Sequence, residues 1–193
     1  VSLTARVASP ALSIAAGFTK ELPKGIDEFA IEGIGDMLYA FPNLRVEYAQ
    51  AEPGVPLWFW RSVGHSQNVY FIEAFIDEVA AAAGKDPVEF RRSLLSKQPR
   101  LRGVLDLAAE KAGWSSPLPQ GMHRGVALTH CFGSFVGQVA EVSMDPNGKP
   151  RVHRIVAAVD CGRTVNPDII QRQVEGAVVY GLSAALHGKI TFR

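Results

Sequence analysis

The chain has 193 residues, 47% of them apolar and 20% charged, with 20 basic side chains against 19 acidic ones. That profile belongs to a folded globular protein with enough length to bury a sizeable core. The even charge balance without a basic run argues against a nucleic-acid partner, and no apolar run approaches the ~20 residues that span a bilayer.

Residues 1–25 hold short apolar pieces without a strong period and end in the turn-rich ELPKG. NLRVEYAQ (43–50) alternates like a strand between Pro42 and the AEPGVP stretch (51–56). In SQNVYFIEAFIDEVAAAAG (66–84), Val69, Ile72, Phe75, Ile76, Val79 and Ala83 fall at helical spacing. Ser66 is the expected N-cap and Gly84 the expected stop. KDPVEFRRSLL (85–95) starts a second helix, with Asp86 as cap and Pro87 at the first helical position, where its missing N–H costs nothing. RLRGVLDLAAEKAGW (100–114) reads as a third helix, ended by Gly113.

The period then changes. MHRGVALTHC (122–131), SFVGQVAEVSMD (134–145) and KPRVHRIVAAVD (149–160) are β-rich runs, and DPNGK between the last two is a hairpin turn. NPDIIQRQVEGAVVYGLSAALHG (166–188) reads as one long helix, and GKITFR (188–193) as the start of a strand. The pattern predicts helices over about 68–83, 88–97, 101–112 and 168–187, with antiparallel strands between 122 and 160, each boundary good to about two to four residues. The fold class is α+β, an antiparallel sheet packed with helices. A start at Val1 and a stop within a strand suggest a piece of something larger.

Two stretches point to chemistry. RSVGHSQ (61–67) places Arg61, Gly64 and Gln67 where a helix begins. Free N–H groups and the positive dipole end make such a place suited to an anion. Gly64 allows close backbone approach, Arg61 adds a bidentate cation, and Gln67 can donate and accept. In VDCGRTVNPDIIQRQVEGAVVYGL (159–182), a strand ends at Asp160, a turn follows, and a helix carries Gln173, Glu175, Gly176 and Gly181. Each stretch also has a purely structural reading, a capped turn in the first and a tightly packed helix in the second. Cys131 and Cys161 show no CxxC or Cys/His clustering, so no zinc or cluster ligand set is visible.

RSVGHSQ, the helix after it and GKDPVEFRRSLL resemble the molybdenum-binding large subunits of the xanthine oxidase and aldehyde oxidoreductase family. There the run reads approximately Arg-Gly-Phe-Gly-x-x-Gln. VDCGRTVNP followed by QVEG is similar to that family's Asp-x-Gly…Asn-Pro and Gln-Val/Ile-Glu-Gly. Ser62, Val63, His65 and Ser66, with Trp58, Phe59 and Trp60 before them, are closest to the branch of the isoquinoline 1-oxidoreductase β-subunits.

The resemblance implies that residues 1–98, with the RSVGHSQ loop, and residues 99–193, with the strand group and the last helix, are two parts of one larger molybdopterin-binding region. It implies a molybdopterin dinucleotide, in bacteria usually the cytosine form, held by Arg61, Gly64 and Gln173, with Gln67 in support. It also implies a substrate pocket lined by Val63 and Phe135, a heteroaromatic or aldehyde substrate, and an iron–sulfur small subunit with two [2Fe–2S] clusters. The family's catalytic glutamate, in a Gly-x-Gly-Glu or Gly-Glu-Pro context, has no match here, so this chain holds no catalytic residue and no metal ligand and is expected to be inactive and without cofactor on its own. The competing expectation is a non-catalytic binding or assembly domain. A small hydrolase using His65 or His130 with Cys131 is a third, weakened because THCFG (129–133) shows no oriented partner in sequence.

Overall fold

The computed structural model describes residues 2–52 and 54–191. Leu3, Ala5 and Val7 alternate with Thr4, Arg6 and Ala8 to give an unexpected strand, β1 (Ser2–Ser9), with Leu3 buried. After it come a short helix α1 (Leu12–Ala15), a 3-10 turn at Pro23–Gly25 and a second short helix α2 (Glu28–Ile31). Buried Asp27 ties these together: its carboxylate accepts from the backbone N–H groups of Phe29 and Ser13, both at 3.1 Å. The expected strand β2 (Asn43–Gln50) then pairs in parallel with β1, Ser2 opposite Asn43 through Ser9 opposite Gln50. The sheet content is therefore mixed rather than purely antiparallel, and the helical 10–42 connection supplies the crossover that parallel pairing needs.

Helix α3 (His65–Ala82) begins earlier than predicted, and its N-cap is Gly64. Ser66 lies inside the first turn, where its hydroxyl donates to the Arg61 carbonyl at 2.7 Å. Helix α4 (Pro87–Leu94) has the expected cap, with Asp86 accepting from the N–H of Val88 at 2.9 Å and of Glu89 at 3.0 Å; it ends three residues short of the predicted 97. Helix α5 (Pro99–Ala112) stops at Gly113 in the left-handed conformation, φ 64°.

Strands β3 (Met122–Cys131), β4 (Ser134–Met144) and β5 (Pro150–Asp160) form the predicted antiparallel sheet in the order β3-β4-β5. Asp145 closes the DPNGK turn by accepting from the N–H of Asn147 and of Lys149, both at 2.8 Å. Helix α6 (Pro167–His187) follows, capped by Asn166. Residues 188–191 carry no strand, and the rest of the expected GKITFR strand lies outside the described residues.

Val126, Leu128, Phe135, Val139 and Ala158 on one sheet face pack under Leu101, Val104, Leu105 and Ala108 of α5. Ile72 and Ile76 of α3, with Leu3, Ile34 and Tyr39, extend the same core, so residues from both expected segments share it. A buried charge cluster pins α3 to its neighbours. Glu73 accepts from Tyr39 hydroxyl at 2.8 Å, Arg91 Nε at 3.1 Å and the Leu128 N–H at 2.8 Å. That last bond satisfies a backbone group on the β3 edge. Arg91 is fully buried and also reaches Asp77. Burial pushes the Glu73 carboxyl above its usual range, partly offset by Arg91 and the Leu128 N–H. The Tyr39 hydroxyl is raised well above its own, by burial and by the Glu73 charge.

Candidate functional site

The loop before α3 is anchored by an aromatic cluster. The Phe59 ring lies 5.8 Å from Phe18, 5.3 Å from Phe29 and 5.7 Å from Trp58. The chain then turns sharply through Ser62 (φ 69°) and Val63 (φ 46°). A left-handed conformation is a true outlier for a β-branched residue, and here it is held by the Val63 N–H donating to the Trp60 carbonyl at 3.0 Å and by the Ser62 and Ser66 hydroxyls bonding the Arg61 carbonyl. Val63 itself is half-buried.

Gly64 has a different neighbour from the one expected. It is buried, and a Cβ built on it would lie 2.2 Å from the Phe29 carbonyl oxygen and 3.0 Å from Glu32 Cβ. The close approach that demands glycine here is to residues 29–32 of the chain itself. The Gly64 N–H donates to Glu32 Oε2 at 3.3 Å, and His65 Nδ1 stands 3.4 Å from the same oxygen. The start of α3 does hold an anion, and that anion is the Glu32 carboxylate. Asn68 completes the junction by donating to the Ala30 and Glu32 carbonyls, both at 2.8 Å.

Arg61 and Gln67 remain exposed or half-buried at the surface of this loop. The Arg61 guanidinium lies over the Tyr180 ring of α6, 4.9 Å from its centroid, and Trp60 meets the same ring at 5.8 Å. This contact joins the two motifs that the sequence singled out. Gln173, Gly176, Ala177 and Tyr180 follow the i, i+3, i+4, i+7 rule and share one helix face. Gln173 is exposed, about 10 Å of helix rise from Tyr180. Arg61 thus meets the Gln173 helix at Tyr180 rather than at Gln173 itself. A Cβ at Gly176 would meet nothing within 4 Å, so the face is open there. Sequence reasoning misses Tyr180, although its seven-residue spacing from Gln173 is a usable signal.

Phe135 sits elsewhere. It is 9% exposed on the α5 side of the sheet, with the Arg100 guanidinium 4.3 Å from its centroid and the His130 ring at 4.9 Å. Little of the ring is left for a flat ligand in this chain. Arg100 makes a bidentate pair with Asp160, Nε to Oδ2 at 2.8 Å and Nη2 to Oδ1 at 2.7 Å. These bonds, with a further one from the Gly162 N–H, hold the Asp160 carboxyl down at about 2.

Cys131 does have an oriented partner, contrary to the sequence expectation: its Sγ lies 3.9 Å from His65 Nδ1, and Asp36 is 3.8 Å from the other ring nitrogen. Burial and the charges of Glu32 and Asp36 push the Cys131 thiol up, away from the thiolate that a nucleophile needs. The Sγ–Nδ1 separation is also long for a nucleophile and its base, and the same His65 nitrogen lies closer to Glu32 Oε2, at 3.4 Å. Among the described residues no group of three or more His, Cys, Asp or Glu side chains is arranged to hold a metal ion, and no helix is long and apolar enough to cross a membrane.

The chain is thus an α+β core in which Arg61 rests on the α6 face that carries Tyr180, Gly176 and the exposed Gln173 amide. Two family models described as molybdopterin cofactor-binding domain match the chain, over residues 11–95 and 77–193. The chain belongs to that family. It is 32% identical over 162 residues to the beta chain of isoquinoline 1-oxidoreductase from Brevundimonas diminuta, covering 81% of this chain and 21% of the relative. It is 32% identical over 173 residues to a nicotinate dehydrogenase subunit of Pseudomonas putida, covering 80% and 14%. A membrane-bound aldehyde dehydrogenase [pyrroloquinoline-quinone] of Gluconacetobacter polyoxogenes is 33% identical over 188 residues, covering 84% and 24%. The chain therefore spans a quarter or less of the length of these relatives.

The residues present fit such a cofactor in part. Arg61, Gln67 and Gln173 are accessible donors suited to a polar, anionic group, and Gly176 leaves open space beside Gln173. At Gly64 the side a Cβ would occupy is filled by Phe29 and Glu32.

Proposed function

We propose that this chain is a cofactor-holding part of a molybdenum hydroxylase large subunit. The cofactor is molybdopterin cytosine dinucleotide, and the intact protein hydroxylates an N-heteroaromatic or aldehyde substrate with oxygen from water. The observation that carries this reading is the meeting of the two motifs at Tyr180, where Arg61 rests on the helix that carries Gln173 and Gly176. The names of the relatives, which point to isoquinoline, nicotinate and aldehyde, support the substrate class.

When bound, the molybdenum cofactor supplies the two-electron oxidation. This chain's own residues bind and orient it. Arg61, held against the Tyr180 ring, would place a cation beside the cofactor's anionic group. Gln173 offers an amide that can donate and accept at the pterin edge. Val63, half-buried in its strained turn, is left to line the substrate pocket, whereas Phe135 is covered by Arg100 and His130 in this chain. Neither buried glutamate is free to act as a base: Glu73 accepts three hydrogen bonds, and Glu141 is paired with Arg124 at 3.0 Å. In this reading the base comes from a part of the large subunit outside this chain, and the chain alone is inactive. An iron–sulfur small subunit with two [2Fe–2S] clusters would be the electron acceptor, a partner consistent with relatives named as subunits.

Metal and nucleotide analysis of the intact natural protein tests this. Molybdenum and a cytosine-containing pterin should copurify near one equivalent each, and the protein should oxidise a small heteroaromatic or aldehyde. A fully folded protein that carries neither would refute the reading, and one that carries the pterin without turning over any such substrate would favour the binding or assembly role.

A further inference from the structure

We propose that Arg100 is a positioning residue, one that sets the Asp160–Asn166 turn and through it the start of α6 for cofactor binding. This rests on the proposed function above. Arg100 stands in the first turn of α5, where a cation opposes the helix dipole. A locally unfavourable choice of this kind is expected where another contact needs it. Three contacts do. The guanidinium forks onto both oxygens of Asp160, the last residue of β5. It also lies on the Phe135 ring, and Phe135 is the cross-strand partner of Asp160. Asp160 Oδ1 accepts in addition from the Gly162 N–H at 3.0 Å, with Gly162 left-handed at φ 78°.

One planar cation thus fixes a carboxylate, and that carboxylate fixes Gly162 at the start of the turn that runs into the Asn166 cap of α6. Lysine would keep the charge and lose both the fork and the flat contact with Phe135. The pair is partly exposed, 44% at Arg100 and 34% at Asp160, so a role in simply holding the fold together is small. Its geometric role at the turn is what distinguishes it. The low Asp160 carboxyl agrees with a carboxylate that stays ionised and gripped over the working pH range.

The test uses Arg100→Gln and Arg100→Lys in the intact natural protein, with amide hydrogen exchange and bound pterin measured on the same samples. Loss of a charge-assisted hydrogen bond should speed exchange by roughly tenfold at the Gly162 N–H, which Asp160 holds. Exchange in β3 and β4 should stay as in wild type. Pterin per folded protein should fall by about tenfold in Arg100→Gln, as for other supporting groups around a bound centre, and Arg100→Lys should recover only part of it. Unchanged exchange at the Gly162 N–H overturns the proposal. Faster exchange there with full pterin content overturns its link to the cofactor. Exchange raised equally throughout the sheet assigns Arg100 a merely structural part. A wild-type protein free of pterin refutes the proposed function and the link together, while the exchange data still decide whether Arg100 holds the turn.

Discussion

Replacing Gly64 by alanine separates two reasons for a glycine at that point. If its purpose were freedom of the backbone alone, alanine would be tolerated, because φ is −63° and the residue is already right-handed. Alanine would even gain roughly 0.5–1 kcal/mol from a less flexible unfolded chain. The structure places the new methyl 2.2 Å from the Phe29 carbonyl oxygen and 3.2 Å from the Glu32 backbone nitrogen. Backbone cannot rotate aside as a side-chain tip can, so α2 or the start of α3 must move. Overpacking of this sort costs about 1–3 kcal/mol, and the shift endangers the Gly64 N–H bond to Glu32 as well. The expected net loss is about 1–3 kcal/mol by urea denaturation at unchanged slope. Gly176→Ala is the control. It lies inside α6 with nothing within 4 Å of its Cβ, so it should gain about 0.5–1 kcal/mol from helix propensity. A Gly64→Ala protein as stable as wild type would refute the packing argument.

Two further outcomes follow from the charged groups. Glu73→Ala leaves Arg91 buried with Asp77 as its remaining carboxylate partner and should destabilise by about 3 kcal/mol, whereas Glu73→Leu with Arg91→Met should recover much of the loss, both read by chemical denaturation. Asp160 has a folded value of about 2 against an ordinary 3.8, so its contribution is present above the ordinary value and lost as pH falls from about 4 towards 2. Asp160→Asn should flatten that part of the stability–pH curve, and an unaltered curve would show that the Arg100 pair contributes nothing to folding.

Much of the fold is legible in the sequence because its signals are local. The period switch near residue 120, Asp145 and Gly148 in the hairpin, and Asp86 with Pro87 at a helix start all act within a few residues. β1 escapes because its inward positions include Ala5, which gives alternation little contrast, and because its partner β2 lies far along the chain. The α3 start is misplaced because Ser66 is a good cap by type, while the actual junction is set by Phe29 and Glu32 arriving from a distant segment. The site follows the same division. Arg61, Gln67 and Gln173 are accessible polar side chains inside recognisable motifs. Tyr180, Glu32 and Arg100 matter through contacts that only the folded chain creates. The Cys131–His65 pair, 66 residues apart, is likewise visible only after folding.

The most direct test of the central claim is the molybdenum and pterin content of the intact natural protein carrying Arg61→Ala or Gln173→Ala, measured beside wild type on folded material. Both side chains are exposed, so neither change should alter the fold. Each should lower cofactor content by about tenfold, in line with the loss of a directly bonded cation or amide. Wild-type content in both variants would contradict the assignment of this surface to the cofactor.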